Sequence, residues 1–475
     1  MVLIYPKDGL QGVISMVNVG VIGTGFVGLT HAAVTARFGH HIIGYDVNVK
    51  KVEAFSSGDK ENVESFVSEK GLAELISMQL KTGRLKFTSK PEDLMSCEIF
   101  FMCLPTPYRN NGSSNTDFLF SAADTIVDIL KRRKSQGFVL FVDKSTVPIG
   151  TAKLLHEHIS KLGLENFDVA SNPEFLPEGE AVEHAIHSSK VVVGANRKES
   201  FDLLRRVYSS FVNNNGYIET NPETAEAIKY ASNTLLFTQI VAWQSIPGKI
   251  GEGFKEVDFD VMRKGILADP RIAKWGSYLT AGAGGSCFKK DALSLAFQLE
   301  TKGVNNEFVK LVNDINEHHK DYLIERAEKE AGYDFNNKRV ALFGAAFKQG
   351  TNDMRESNVL VMIPQLLSRG VKEIRIYDPL ALEEAKKIFD KSISKNYYKI
   401  TFHDSVESAI DSTDVCVIAT DHQEFRALSD MLLEKAATPY LVLDGRRMIP
   451  GSEIPKLLSS GISYLTIGGT YKKAI

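Results

Sequence analysis

From Met16 the chain alternates short apolar runs with stretches whose apolar residues recur at helical intervals. VNVGVIG is a β-rich run, TGFVGLTHAAVTARFG has helical spacing and HHIIGYD returns to a strand, so this segment predicts a βαβ unit. Further strands are predicted at EIFFMCL (98–104), FVLFVD (138–143) and KVVVGA (190–195), separated by helical stretches such as FSAADTIVDILKRR. Strands alternating with helices predict a parallel sheet covered by helices.

The pattern changes near residue 216. ETAEAIKYASNTLLFTQIVAWQSI, Glu223 to Ile246, has neither Gly nor Pro and is apolar on most sides in its second half, which predicts a long helix buried between domains. More helical text runs to about Glu330. RVALFGAAF (339–347), IRIYD (374–378), DVCVIA (414–419) and YLVLD (440–444) then restore the strand rhythm, with helical segments such as ALEEAKKIF between them. The expected organisation is an extension over 1–15, an α/β domain over 16–212, a helical region over 213–330 and a second α/β domain over 331–475. Only the first α/β domain carries a full glycine fingerprint.

Composition narrows the function classes. The 475 residues are 43% hydrophobic and 24% charged, enough for large cores in more than one domain. A net charge of -3 leaves no basic field for a phosphate polymer, so nucleic acid is not an expected partner. Four cysteines (Cys97, Cys103, Cys287, Cys416), none in a C-x-x-C pair, argue against a disulfide framework or a zinc cage and fit a reducing compartment. The first fifteen residues lack a basic start and are broken by Pro6, Lys7 and Asp8, and no later apolar run approaches ~18 residues. Neither secretion nor a membrane span is expected, and the cytoplasm is the expected location.

Four motifs carry chemistry. Gly23-Thr24-Gly25-Phe26-Val27-Gly28 follows the first strand and opens its helix, where backbone N–H groups can approach a pyrophosphate. Asp46 ends the second strand at the spacing where a carboxylate accepts from both ribose hydroxyls, and it repels a 2′-phosphate, so NAD is expected over NADP. Cys287 stands in GAGGSCFKKD (282–291), where glycines admit a ligand and Lys289 and Lys290 would favour thiolate. The bland reading is an incidental thiol in a glycine loop; Cys97, Cys103 and Cys416 are expected as small core residues. Lys229 and Asn233 are four apart on the long helix and share one face, which borders either a polar cavity or a structural partner carboxylate. Glu174 and Glu178 lie in the Pro-bounded loop SNPEFLPEG (171–179), a position that alone says little.

GTGFVG, STVPIGT, NPEFLPEG, the Lys229/Asn233 helix and GGSCFKKD, in this order, resemble the UDP-glucose/GDP-mannose dehydrogenase family. The resemblance continues through FKQGTNDMRES (347–357) and YDP (377–379) to DGR (444–446), nearly everything after Met16. It implies two Rossmann-like parallel-sheet domains joined by a long central helix, with a small helical dimerisation region. NAD would occupy the first domain and the UDP-sugar the last. The implied reaction is twofold oxidation of the sugar C6 alcohol to a carboxylate through a cysteine thiohemiacetal and thioester.

Residue by residue, the resemblance makes Cys287 the nucleophile and gives Lys229 and Asn233 the developing oxyanions. Asp291 would position a catalytic water with Thr146, and Glu174 matches the base for thioester hydrolysis. Lys51, Thr106, Glu178, Lys290 and Arg355 match cofactor-site residues beside the fingerprint. Phe175, Leu176, Arg271, Phe347, Lys348 and Arg446 match sugar-nucleotide contacts, with Arg446 suited to a bidentate grip on the diphosphate. A homodimer is implied, Arg271 reaching the neighbouring subunit's site.

The chain departs from the family pattern at Lys289, where proline is common, at Pro177, Thr280 and Ala283, and at Trp243-Gln244-Ser245. UDP-glucose is the expected substrate; GDP-mannose and a UDP-N-acetylhexosamine are the alternatives. A single-step NAD-dependent hydroxyacid dehydrogenase would leave Cys287 and the terminal domain unexplained. A non-catalytic sugar-nucleotide binder would lack Cys287, Lys229 or Asp291, and all three are present.

Overall fold

The computed structural model describes residues 16–134, 137–209, 216–390 and 392–475. The expected extension over 1–15 and the expected boundary at 212/213 lie outside these residues. Two compact units form. One takes the chain up to Ser232 together with Phe297–Val304, and the other takes Asn233–Ala296 and Asn305–Ile475.

The first unit is built on β1 (Asn18–Ile22), β2 (His41–Tyr45), β3 (Leu85–Thr88), β4 (Ile99–Met102), β5 (Val139–Asp143), β6 (Phe167–Ser171), β7 (Val191–Gly194) and β8 (Tyr217–Thr220), in the sheet order β3-β2-β1-β4-β5-β6-β7-β8. β4, β5 and β6 are buried along their whole length, which explains their uninterrupted apolar text. The sheet is parallel except where β7 meets β6 through the antiparallel pair Ser171 and Gly194, a reversal absent from the sequence expectation. It arises because the chain between them, with its short helix Ala181–Ile186, makes no parallel crossover.

The second unit repeats the plan with β9 (Arg339–Phe343), β10 (Glu373–Tyr377), β11 (Ile400–Phe402), β12 (Val415–Ile418), β13 (Tyr440–Asp444) and β14 (Ile462–Thr466), in the order β11-β10-β9-β12-β13-β14, all parallel. Each sheet reverses its direction of winding after its first strand, between β1 and β4 and between β9 and β12, where this architecture places its ligand crevice. Each also ends its second strand in a buried aspartate, Asp46 and Asp378. Asp378 accepts from the N–H groups of Ala345 (2.6 Å), Ala346 (3.0 Å), Leu380 (2.8 Å) and Ala381 (2.7 Å), and His422 Nε2 lies 3.1 Å from it.

The long helix spans Pro222–Trp243 and passes into a π-helical turn, Gln244–Gly248, before Lys249–Gly253 resumes α geometry. Pro247 sits inside that turn, where the wider winding accommodates the missing N–H. The helix is not buried all round as its composition predicts: within the second unit Leu235 is 68% exposed and Ile246 62%. No helix among the described residues is long and apolar enough to cross a membrane.

Candidate active site

In the first unit the candidate residues gather at the carboxyl ends of the strands. After β1, Gly28 packs so tightly that a Cβ there would stand 1.9 Å from the Gly23 carbonyl oxygen, so only glycine fits. Gly25 faces open space and caps the helix Phe26–Arg37 without a side-chain bond. The N-terminal end of that helix is therefore open to an anion, which suits a dinucleotide pyrophosphate. Asp46 accepts from Thr24 N (3.0 Å), Thr24 Oγ1 (2.9 Å) and Asn48 N (2.9 Å), with Lys51 Nζ at 3.7 Å. The carboxylate thus holds the fingerprint turn in place.

The loops after β4 and β5 are tied together. Thr106 Oγ1 donates to the Thr146 carbonyl at 2.8 Å, and Ser145 Oγ bonds both N–H and C=O of Leu104 at 2.9 and 2.8 Å. After β6, Glu174 is gripped by Lys229, whose Nζ donates to its carbonyl at 2.7 Å and to Oε1 at 3.0 Å. Glu174 Oε2 accepts from Leu176 N at 2.6 Å. Burial pushes the Glu174 carboxyl up, but the Lys229 ammonium and the Leu176 N–H outweigh it and hold the group below its ordinary value. Lys229 and Lys190 also approach the Phe175 ring, at 5.3 and 3.8 Å from its centre. The half-buried Glu178 stands in the turn that Glu69 pins through Gly179 N (2.8 Å) and Ala181 N (2.7 Å).

In the second unit Cys287 is the N-cap of the helix Phe288–Thr301: its carbonyl accepts from Asp291 N at 2.9 Å. The thiol is exposed, with Ser286 Oγ at 3.7 Å. Asp291, fully buried one turn on, is held by Asn233 Nδ2 at 2.6 Å and Lys290 Nζ at 2.5 Å. Both lysines that follow the thiol are ion-paired. Lys289 is engaged by Glu317 and Glu356, and Lys290 by Asp291. The helix N-terminus adds positive potential at the thiol. Cys97 and Cys103 behave as core residues, burial pushing both thiols up to about 12.

The sugar-nucleotide candidates also lie at strand ends. Phe347 and Lys348 follow β9, and the Phe347 ring lies against Gly285, where a Cβ would meet it at 2.9 Å. Arg446, after β13, reaches Thr280 Oγ1 at 2.6 Å and Asp421 at 2.7 Å and lies over the Tyr278 ring. Both terminal nitrogens of its guanidinium are thus engaged within the second unit. Arg355 and Arg271 are exposed and pair with Asp353 and Asp269, each at 2.6 Å.

Three partners were missed in the sequence. Lys144, after β5, donates to Asn172 Oδ1 at 3.0 Å, and burial lowers its ammonium to about 8. Glu226 caps the helix Thr151–Lys161 through Gly150 N (2.5 Å) and Ala152 N (2.9 Å). Asp421 links Arg446 to Gln349 N at 3.2 Å. A lysine and an aspartate closing apolar strands were the only signals for Lys144 and Asp421; Glu226 had none.

Comparison with known proteins agrees with this geometry. Residues 17–212 match the NAD binding domain of the UDP-glucose/GDP-mannose dehydrogenase family, 223–318 its central domain and 341–451 its UDP binding domain. The UDP-glucose 6-dehydrogenase TuaD of Bacillus subtilis is 29% identical, covering 95% of this chain and 93% of its own length. The UDP-glucose 6-dehydrogenase of Pseudomonas aeruginosa is 31% identical over 94% of this chain and 96% of its own. A UDP-glucose dehydrogenase structure from the archaeon Pyrobaculum islandicum superposes with a TM-score of 0.84 at 29% identity, covering 94% of this chain and 98% of that one. Fold, strand-end residues and full-length similarity agree: the chain belongs to the UDP-glucose/GDP-mannose dehydrogenase family.

Proposed function

We propose that this protein oxidises C6 of UDP-glucose twice, giving UDP-glucuronate, with Cys287 as the nucleophile. The observation that carries the reading is the exposed thiol at a helix N-cap with the buried, doubly held Asp291 one turn beyond it. The substrate follows the names of the relatives at about 30% identity.

The fingerprint turn and Asp46 would hold NAD, which would supply the hydride acceptor for each oxidation. The chain's own groups manage the oxygen and the carbon. The Cys287 thiolate adds to the aldehyde carbon, the C=O electrons move to oxygen, and that oxyanion is met by the Lys229 ammonium and the Asn233 amide. The adduct retains the aldehyde, which would otherwise escape between the two oxidations. After the second oxidation the adduct is a thioester. Water, oriented by Asp291 and Thr146, attacks it while Glu174 takes the proton; the C–S bond breaks and thiolate leaves.

Arg446, Lys348, Phe347, Phe175 and Leu176 are assigned to the sugar nucleotide, and Thr106, Glu178, Lys290, Lys51 and Arg355 to the cofactor side. The exposed Leu235 and Arg271 support a homodimer in which Arg271 reaches the partner's site. The location we assign is a reducing compartment, the cytoplasm.

The test is NADH production against UDP-glucose, GDP-mannose and UDP-N-acetylhexosamines, with NADH counted per sugar consumed. Two NADH per UDP-glucose, with turnover collapsing in Cys287→Ser, are expected. One NADH with a released aldehyde or ketone would falsify the reading.

A further inference from the structure

Lys289 stands two residues beyond Cys287. Its Nζ lies 3.0 Å from Glu317 and 3.0 Å from Glu356. Lys320 Nζ lies 2.8 Å from Glu317 and 3.1 Å from the same Glu356 oxygen. Two ammonium and two carboxylate groups thereby close a ring without net charge. The Lys320 side chain is only 2% exposed and the other three are between 21% and 31%, so these pairs are less screened than surface pairs. Burial pushes the Glu356 carboxyl up, but Lys320 and Lys289 outweigh it and hold it below its ordinary value. Lys289 is held above its own against burial.

The two segments that bear the glutamates also grip the chain before the thiol. Asn316, beside Glu317, exchanges two hydrogen bonds with the Ala283 backbone, at 2.7 and 3.0 Å. The Arg355 carbonyl accepts from Gly285 N at 3.1 Å, and a Cβ on Gly284 would stand 2.7 Å from the Glu356 carbonyl oxygen. The glycines are thus pressed against the segment whose next side chain reaches round to Lys289.

We propose that Lys289 is a positioning residue: through Glu317 and Glu356 it ties the chain just after Cys287 to the same two segments that hold the chain just before it, and so sets the place of the thiol. The proposal rests on the reading of Cys287 as nucleophile.

Lys289→Met should lower kcat by about tenfold or more, because small displacements of a reacting atom are costly, and should leave KM for NAD and UDP-glucose within about twofold. The rate at which iodoacetamide alkylates Cys287 should change by about threefold or more in the same variant. Lys289→Arg should recover kcat to within about threefold, since its guanidinium reaches both carboxylates. Should the methionine variant fail to fold, Glu356→Gln and Glu317→Gln carry the same measurements. Native kcat in a folded variant overturns the proposal, as does a native alkylation rate or a loss that arginine does not restore. If Cys287→Ser keeps turnover, the nucleophile reading fails separately, and the alkylation rates still report whether the ring holds the thiol.

Discussion

Lys229 holds Glu174 at two points, the side-chain oxygen at 3.0 Å and the main-chain oxygen at 2.7 Å, so the carboxylate and its loop are fixed by one ammonium. Because Glu174 lies below its ordinary value, it is ionised through the neutral range and ready to take a proton. Glu174→Gln should leave formation of the Cys287 adduct intact and slow its hydrolysis by about a hundredfold or more. Mass spectrometry of enzyme quenched during turnover should then find the thioester on Cys287. Steady-state turnover at the native rate would remove Glu174 from the hydrolytic step.

Asp46 holds the fingerprint turn and is the residue proposed to receive the cofactor ribose. Asp46→Ala should raise the NAD KM about tenfold or more, in line with charge-assisted bonds worth about 1.5–3 kcal/mol. It should also narrow the preference for NAD over NADP, since the carboxylate that repels a 2′-phosphate is gone. The check is kcat/KM for both cofactors in both proteins; an unchanged ratio would contradict the assignment.

Arg446 and Asp421 are a partly buried pair in the second unit, with Asp421 held low by Arg446 against its desolvation. Arg446→Ala should weaken sugar-nucleotide binding by roughly 1.5–3 kcal/mol and leave NAD affinity unchanged. It should also lower the melting temperature, because Asp421 loses its counter-charge, whereas Arg446→Ala with Asp421→Asn should recover part of that loss. Calorimetric titration with UDP-glucose and with NAD separates the two ligands.

Glu226 is pushed up to about 7 by burial, against the Gly150 and Ala152 N–H groups that favour its carboxylate. A carboxyl that binds its proton more tightly when folded adds stability that is fully present below its unfolded value and is lost as pH rises through the folded one. Stability should therefore decline from about pH 4.5 to about pH 7, by up to about 3 kcal/mol from this group. Melting temperatures across that range should show the slope in the native chain and a flatter one in Glu226→Gln.

Strands buried on both faces were legible because burial leaves apolar runs: YLVLD became β13 residue for residue. YIET, mostly exposed at a sheet edge, and the three-residue ITF gave no such signal. The long helix was legible to Trp243, and its continuation past Pro247 was not, since proline ordinarily ends α geometry. Cys287, Lys229, Asn233 and Asp291 were legible as types in an order. The ion-pair partners of Lys289 were not: Glu317 and Glu356 reach it only through folding, so no local spacing announces the tether.

One chain with two sheets of the same strand order runs the risk that each accepts the other's ligand. The aspartate that closes the second strand acts as a selector. Asp46 retains acceptor capacity beside Thr24, whereas Asp378 meets four backbone donors and His422, which saturates the lone pairs of a carboxylate. An adenosine ribose entering the second crevice finds no oxygen to receive its hydroxyls. With Asp378 so occupied, adding glycines after β9 would not by itself turn the second sheet into a dinucleotide site.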